Sequence, residues 1–127
     1  MTIEKNKLQI ILEVVALSTG ITFSQARIRD AFIKQLNEHA VAFNQDRVKI
    51  AEKLSVQKNG KAVTIKENGV ESYNIKDPEK FNKEYEILSK ETVTITCDKD
   101  AIYKIIEKTK YEPKFGEVEI IDGVFGK

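Results

Sequence analysis

One histidine, one cysteine and a scatter of carboxylates are the first residues to weigh for acid–base, nucleophilic or metal chemistry in this sequence. Their spacing supports none of the three. His39 stands between Glu38 and Ala40, and a proton-transfer role would need a carboxylate one helical turn away to orient its ring. The positions four residues either side are Gln35 and Phe43, so His39 reads as an ordinary helix-surface or interface histidine. Cys97 precedes Asp98 with no histidine nearby in sequence to take its proton, and it reads as an inert thiol. Glu67, Glu71, Asp77 and Glu79 cluster, but a hard-cation loop wants carboxylates at tight odd spacing around a glycine turn, and these do not fit. Solubility and helix capping account for them. No phosphate-cradling glycine loop is present, so the expectation is a non-enzyme with no catalytic residue, cofactor, metal or small-molecule substrate.

Binding residues are the alternative. Arg27, Arg29 and Lys34 could contact phosphates, yet Asp30 and Glu38 interrupt the stripe and no aromatic residues interleave with it. The 21 basic and 20 acidic residues leave a net charge of +1, so no global field draws the chain to nucleic acid or to an anionic membrane. A nucleic-acid partner is therefore not expected. The apolar run Leu8 to Leu17 is broken by Glu13 and falls well short of the roughly 20 residues of a membrane span. With a single cysteine there is no intrachain disulfide, and a cytoplasmic location is expected.

The elements that must position these residues begin with a first helix over about Ile3 to Ser18, closed by Gly20. Ser24 then caps a second helix that runs without Gly or Pro to Lys58, roughly 35 residues and three times the ordinary length. Ala26, Ile33, Leu36, Ala40, Phe43, Ile50 and Leu54 repeat along it in steps of three, four and seven, with Arg29 and Arg47 in the same register. That is a seam. The short connection predicts an antiparallel helical hairpin whose second helix overshoots the first. The candidate interface is Arg29, Ile33, Leu36, Phe43, Arg47, Ile50 and Leu54. Arg47, a charge on an apolar seam, is expected to pair with Glu79, Glu84 or Glu86 or to remain exposed.

Beyond Asn59 and Gly60, the runs Ala62 to Lys66 and Val70 to Ile75 flank Asn68-Gly69, a strong hairpin signal. A two-residue turn would set Ile65 opposite Ser72 and Val63 opposite Asn74. A three-residue loop with Gly69 as a bulge glycine sets Val63 opposite Tyr73 and gathers Val63, Ile65, Tyr73 and Ile75 on one face, and is preferred. Asp77-Pro78-Glu79 starts a third helix to about Ser89 whose stripe of Phe81, Tyr85 and Leu88 suits the far half of the long helix. Thr92 to Thr96 reads as a strand, Asp98 or Asp100 opens a short helix through about Lys108, and Phe115 to Phe125 reads as a short strand or docking segment. The fold class is α+β in one domain: a helical hairpin over 1–58, then a small sheet-plus-helix part over 59–127.

Several of these segments resemble a group of small bacteriophage-encoded proteins of unknown function. The matching residues are Ala26-Arg27-Ile28-Arg29, Asn59-Gly60-Lys61, Asn68-Gly69, Tyr73-Asn74-Ile75-Lys76-Asp77, Phe81-Asn82-Lys83-Glu84-Tyr85-Glu86-Ile87-Leu88 and Thr92-Val93-Thr94-Ile95. The resemblance covers about two thirds of the chain and implies a phage or prophage product in a bacterial cytoplasm, with no catalytic residue attached. Two partners are then expected in turn: a host protein, bound and inhibited by this chain, or a second copy of the chain itself, assembled through the long helix in a virion role.

Overall fold

The computed structural model describes residues 1–127. In chain order the elements are β1 (Thr2–Glu4), a 3-10 turn (Lys5–Lys7), α1 (Leu8–Ala16), α2 (Phe23–Lys53), β2 (Gln57–Lys58), β3 (Lys61–Ala62), β4 (Thr64–Glu67), β5 (Val70–Tyr73), α3 (Pro78–Lys90), β6 (Thr92–Thr94), α4 (Lys99–Ile106) and α5 (Glu117–Phe125). The class is α+β, with a short helix and then an overlong one as expected. Two compact units form, one from Met1–Val41 with Glu91–Lys127 and one from Ala42–Lys90, a division different from one at residues 58 and 59. The helix α2 contributes residues to both.

The first unit holds the core. Leu8, Ile11, Val14 and Val15 of α1 meet Phe32 and Leu36 of α2, Ile102, Ile105 and Ile106 of α4, and Ile121 and Phe125 of α5 in one buried cluster. Burying a side chain of this size stabilises by about 1.5–3 kcal/mol, so these helices form because they share this cluster. The first helix is shorter than expected because its first residues are used differently. Thr2, Ile3 and Glu4 pair antiparallel with Thr94, Val93 and Thr92, which hides Ile3 and Val93 side by side. Thr92-Val93-Thr94 is a strand by propensity and needs a partner for its backbone, and that long-range demand overrides the local helical pattern. The start of α2 also moves: Thr22 rather than Ser24 caps it. The Thr22 Oγ1 accepts from the Gln25 N–H at 3.1 Å while the Gln25 Oε1 accepts from the Thr22 N–H at 3.0 Å, a reciprocal capping box. Gln35 then pins the exit of β6, its amide exchanging two hydrogen bonds of 2.8 and 3.0 Å with the backbone of Thr96.

The second unit has little apolar interior. Ala51 and Leu88 are its buried hydrophobic residues. The helix α2 ends at Lys53, five residues before the expected Lys58, where the backbone carbonyls at its end find partners other than the N–H groups of a further helical turn. The Ser55 hydroxyl and the Gln57 amide donate to the Glu52 carbonyl at 2.8 and 3.0 Å, and the Lys76 N–H donates to the Leu54 carbonyl at 2.8 Å. Asn59 and Gly60, expected to end the helix, instead form the turn of a first small hairpin, with φ of 53° and 75° and Lys58 paired to Lys61.

The second hairpin corrects the preferred register. Asn68 and Gly69 form a two-residue turn with φ of 52° and 78°, Glu67 pairs with Val70, and Ile65 lies opposite Ser72. Gly69 is therefore the second residue of a turn with two left-handed positions and not a bulge glycine. The reason is that β4 is exposed along its length and β5 is exposed up to Tyr73, so no buried face exists to select the register in which apolar residues align. Asp77, Pro78 and Glu79 open α3 as expected, with the Asp77 carboxylate accepting from the Lys80 N–H at 3.2 Å. The expected strand or docking segment over Phe115 to Phe125 is a helix, α5, started from Gly116 in the left-handed region and closed by Gly126 at φ 71°.

Candidate functional site

The seam residues fall into two groups, each packed within its own unit. Leu36 is completely buried, Ile33 packs half-buried against the same core, and the Arg29 Nε lies 3.0 Å from Asp30 Oδ1. In the second unit the Phe43 ring stacks on Tyr85, with centroids 6.0 Å apart, and Tyr85 stacks in turn on Phe81 at 6.0 Å. Ile50 and Leu54 are half-buried. The far half of the long helix thus finds the aromatic stripe of α3 inside the same chain. Arg47 is exposed, and its Nη2 donates to Asn44 Oδ1 at 2.8 Å. None of the acids expected for it pairs with it: Glu84 meets Lys53 at 3.3 Å and Glu86 meets Lys90 at 2.9 Å.

His39 is half-buried on α2, and no group of three or more His, Cys, Asp or Glu side chains is arranged to hold a metal ion. Burial pushes the Cys97 thiol above its ordinary value, against the partial pull of the N-terminal ammonium and Lys99. A thiol shifted that way carries less thiolate at neutral pH and is a poorer nucleophile.

The structure instead assembles a recess in the first unit that the sequence reading did not single out. Asp98 caps α4 by accepting from the Ala101 N–H at 3.2 Å, which sets Tyr103 one turn later on the same helix. The connector after α4 carries Thr109, Tyr111 and Pro113 to Gly116, whose positive φ of 85° turns the chain into α5. Val14, Ile106 and Ile121 contribute apolar lining to a cavity of about 160 Å³. Two phenols stand in it, each held by a carboxylate. The Tyr103 hydroxyl donates to Asp122 Oδ1 at 2.8 Å, and the Tyr111 hydroxyl donates to Glu117 Oε1 at 2.9 Å. The same Glu117 oxygen accepts from the Lys114 backbone N–H, so this carboxylate both closes the connector and orients the tyrosine.

These bonds raise both phenol pKa values. The hydrogen bond to Asp122 is the main cause at Tyr103 and the bond to Glu117 at Tyr111, with burial and neighbouring negative charge adding to each. Both phenols therefore stay protonated at neutral pH as donors already committed to their carboxylates. Glu107 completes an acidic lining, and neither it, Glu117 nor Asp122 belongs to any ion pair. The ring face of Tyr103 already accepts one cation: the Lys127 ammonium sits 5.0 Å from its centroid.

One signal for the recess was present in the sequence. Glu117 and Glu119 are acids suited to the first turn of a helix, and Ile121 and Phe125 sit at its four-residue spacing. Gly123 within that stretch, and Gly116 and Gly126 on either side of it, obscured it. Compared with known proteins, the chain matches no family model, no curated protein and no solved structure.

Proposed function

We propose that this chain is a binding protein that acts by holding another protein, with no chemistry of its own. The observation that carries this reading is the wholly exposed Phe115 and the half-exposed Val118 at the start of α5, beside an apolar recess partly lined by Val118 itself. An aromatic ring left entirely in water next to an apolar depression is a feature of surfaces that await a partner. The resemblance to small phage proteins supports a host protein in the bacterial cytoplasm as that partner, inhibited by being bound. No helix is long and apolar enough to cross a membrane. Self-association along the long-helix seam is the lesser reading, because Leu36 and Phe43 are already packed within the chain.

The test is affinity capture from bacterial lysate with the full chain as bait, beside light scattering of the pure protein. The expected result is a stoichiometric protein partner identified by mass spectrometry, lost with the double substitution Phe115→Asp and Val118→Asp, and a monomeric mass in solution. A discrete larger homo-oligomer without any captured partner would overturn the reading in favour of assembly.

A further inference from the structure

We infer that the recess between α4 and α5 is the receptor for a lysine side chain of the partner polypeptide, a deepening that rests on the protein-binding reading above. The argument is one of shape and charge. The floor and walls, from Val14, Ile106, Ile121 and the Tyr103 and Tyr111 rings, are almost wholly carbon, and the space of about 160 Å³ suits a slender aliphatic stem. Three carboxylates, Glu107, Glu117 and Asp122, line the same space, and no basic side chain does. A lysine has the matching anatomy, an apolar stem with a compact point charge at its end.

The electrostatics favour that occupant over a neutral one. The Tyr103 hydroxyl uses one of the roughly four acceptor positions of Asp122, which retains acceptors for an ammonium, whereas Glu117 already accepts from the Tyr111 hydroxyl on both oxygens and from the Lys114 N–H. Glu107 is exposed and pairs with no cation. The Lys127 ammonium lies 5.0 Å from the Tyr103 ring centroid without lining the recess, an ammonium–aromatic contact made within the chain. A polypeptide rather than a free amine is the source because the apolar surface does not stop at the recess. Phe115 stands wholly exposed two residues from Pro113 and from Glu117, both of which line it, and only an occupant longer than a simple amine covers both.

The experiment titrates the full chain by amide NMR with an acetylated, amidated Gly-Leu-Lys-Leu-Gly pentapeptide, the same peptide with norleucine for lysine, and n-butylammonium. The lysine peptide should shift the amides of Tyr103, Thr109, Tyr111 and Val118 saturably, and added salt should weaken it. Norleucine should bind about tenfold more weakly, the loss expected for a charge-assisted contact. The Glu107→Gln variant, which removes no contact of the fold, should weaken the lysine peptide about threefold with an unchanged melting temperature. Equal binding of the norleucine peptide, unchanged affinity in Glu107→Gln, or no shift at the recess amides overturns the proposal, and butylammonium binding as tightly as the peptide overturns the polypeptide source. Lysate capture that survives Glu107→Lys would leave the protein-binding reading standing while this one fails. Recess binding without any captured protein would do the reverse.

Discussion

The two compact units of this chain are held by different forces. The Met1–Val41 and Glu91–Lys127 unit is built around a shared apolar cluster drawn from four helices and a strand pair. The Ala42–Lys90 unit buries only Ala51 and Leu88 among its apolar residues, and relies on two Asn-Gly turns, backbone pairing and the aromatic stack of Phe43, Tyr85 and Phe81. Where a core exists, it decides which residues face inward and even converts the first residues from helix to strand. Where none exists, local turn chemistry decides, and the register follows the turn rather than the apolar pattern.

Substitutions that exploit this contrast should differ in size. Leu36→Ala opens a cavity in the first unit and should cost about 3 kcal/mol, read from the urea midpoint, with a cost below about 1 kcal/mol contradicting the core described for it. Tyr85→Ala removes the middle ring of the stack in the second unit and should cost about 2 kcal/mol, less than a core truncation because the ring is only half-buried. Gly69→Val places a β-branched residue at φ 78° and should weaken the β4–β5 hairpin by about 1–2 kcal/mol. Asn68→Ala should also cost about 1 kcal/mol, because Asn68 is itself at positive φ, and a negligible effect there would restore the bulge register. Ile65→Thr should be within about 0.5 kcal/mol of neutral, since Ile65 is exposed.

The effect expected at the recess depends on pH. Because Tyr103 and Tyr111 have raised pKa values in the folded chain, their bonds to Asp122 and Glu117 contribute fully below the ordinary tyrosine value near 10 and are lost as pH rises through the folded values. A double Tyr103→Phe and Tyr111→Phe variant should therefore be less stable than the parent at neutral pH and converge with it under alkaline conditions. A gap that widens with rising pH would reverse the sign of this linkage.

Much of the architecture was legible in the sequence because it is written in local signals. Asp77-Pro78-Glu79 and Asp98 start helices where their side chains can cap, and the Phe81 and Tyr85 stripe finds Phe43, whereas α1 ends at Ala16 with Leu17 as its cap and is not closed by Gly20. The errors arise where backbone groups find partners outside the helical pattern, distant ones for Thr2–Glu4 and mostly near ones at the end of α2. Thr2–Glu4 left the helical pattern to pair with Thr92–Thr94, and α2 stopped at Lys53, where Ser55, Gln57 and Lys76 take the carbonyls at its end. The candidate site was missed for a similar reason. The seam from Arg29 to Leu54 is conspicuous in one dimension and is used within the chain, whereas the recess joins Val14, Tyr103, Tyr111 and Asp122, which no sequence spacing connects.

Native-state hydrogen exchange of the intact chain, resolved by residue, tests this contrast most directly. The core-built unit should protect the amides of α1, of α4 and of α2 around Phe32 and Leu36 up to the free energy of global unfolding, while those of β2 to β5 open by local fluctuation and exchange far faster. Equal protection of the β4–β5 hairpin and the α1–α4 core would contradict it, and would mean that the hairpins belong to the same cooperative unit as the core.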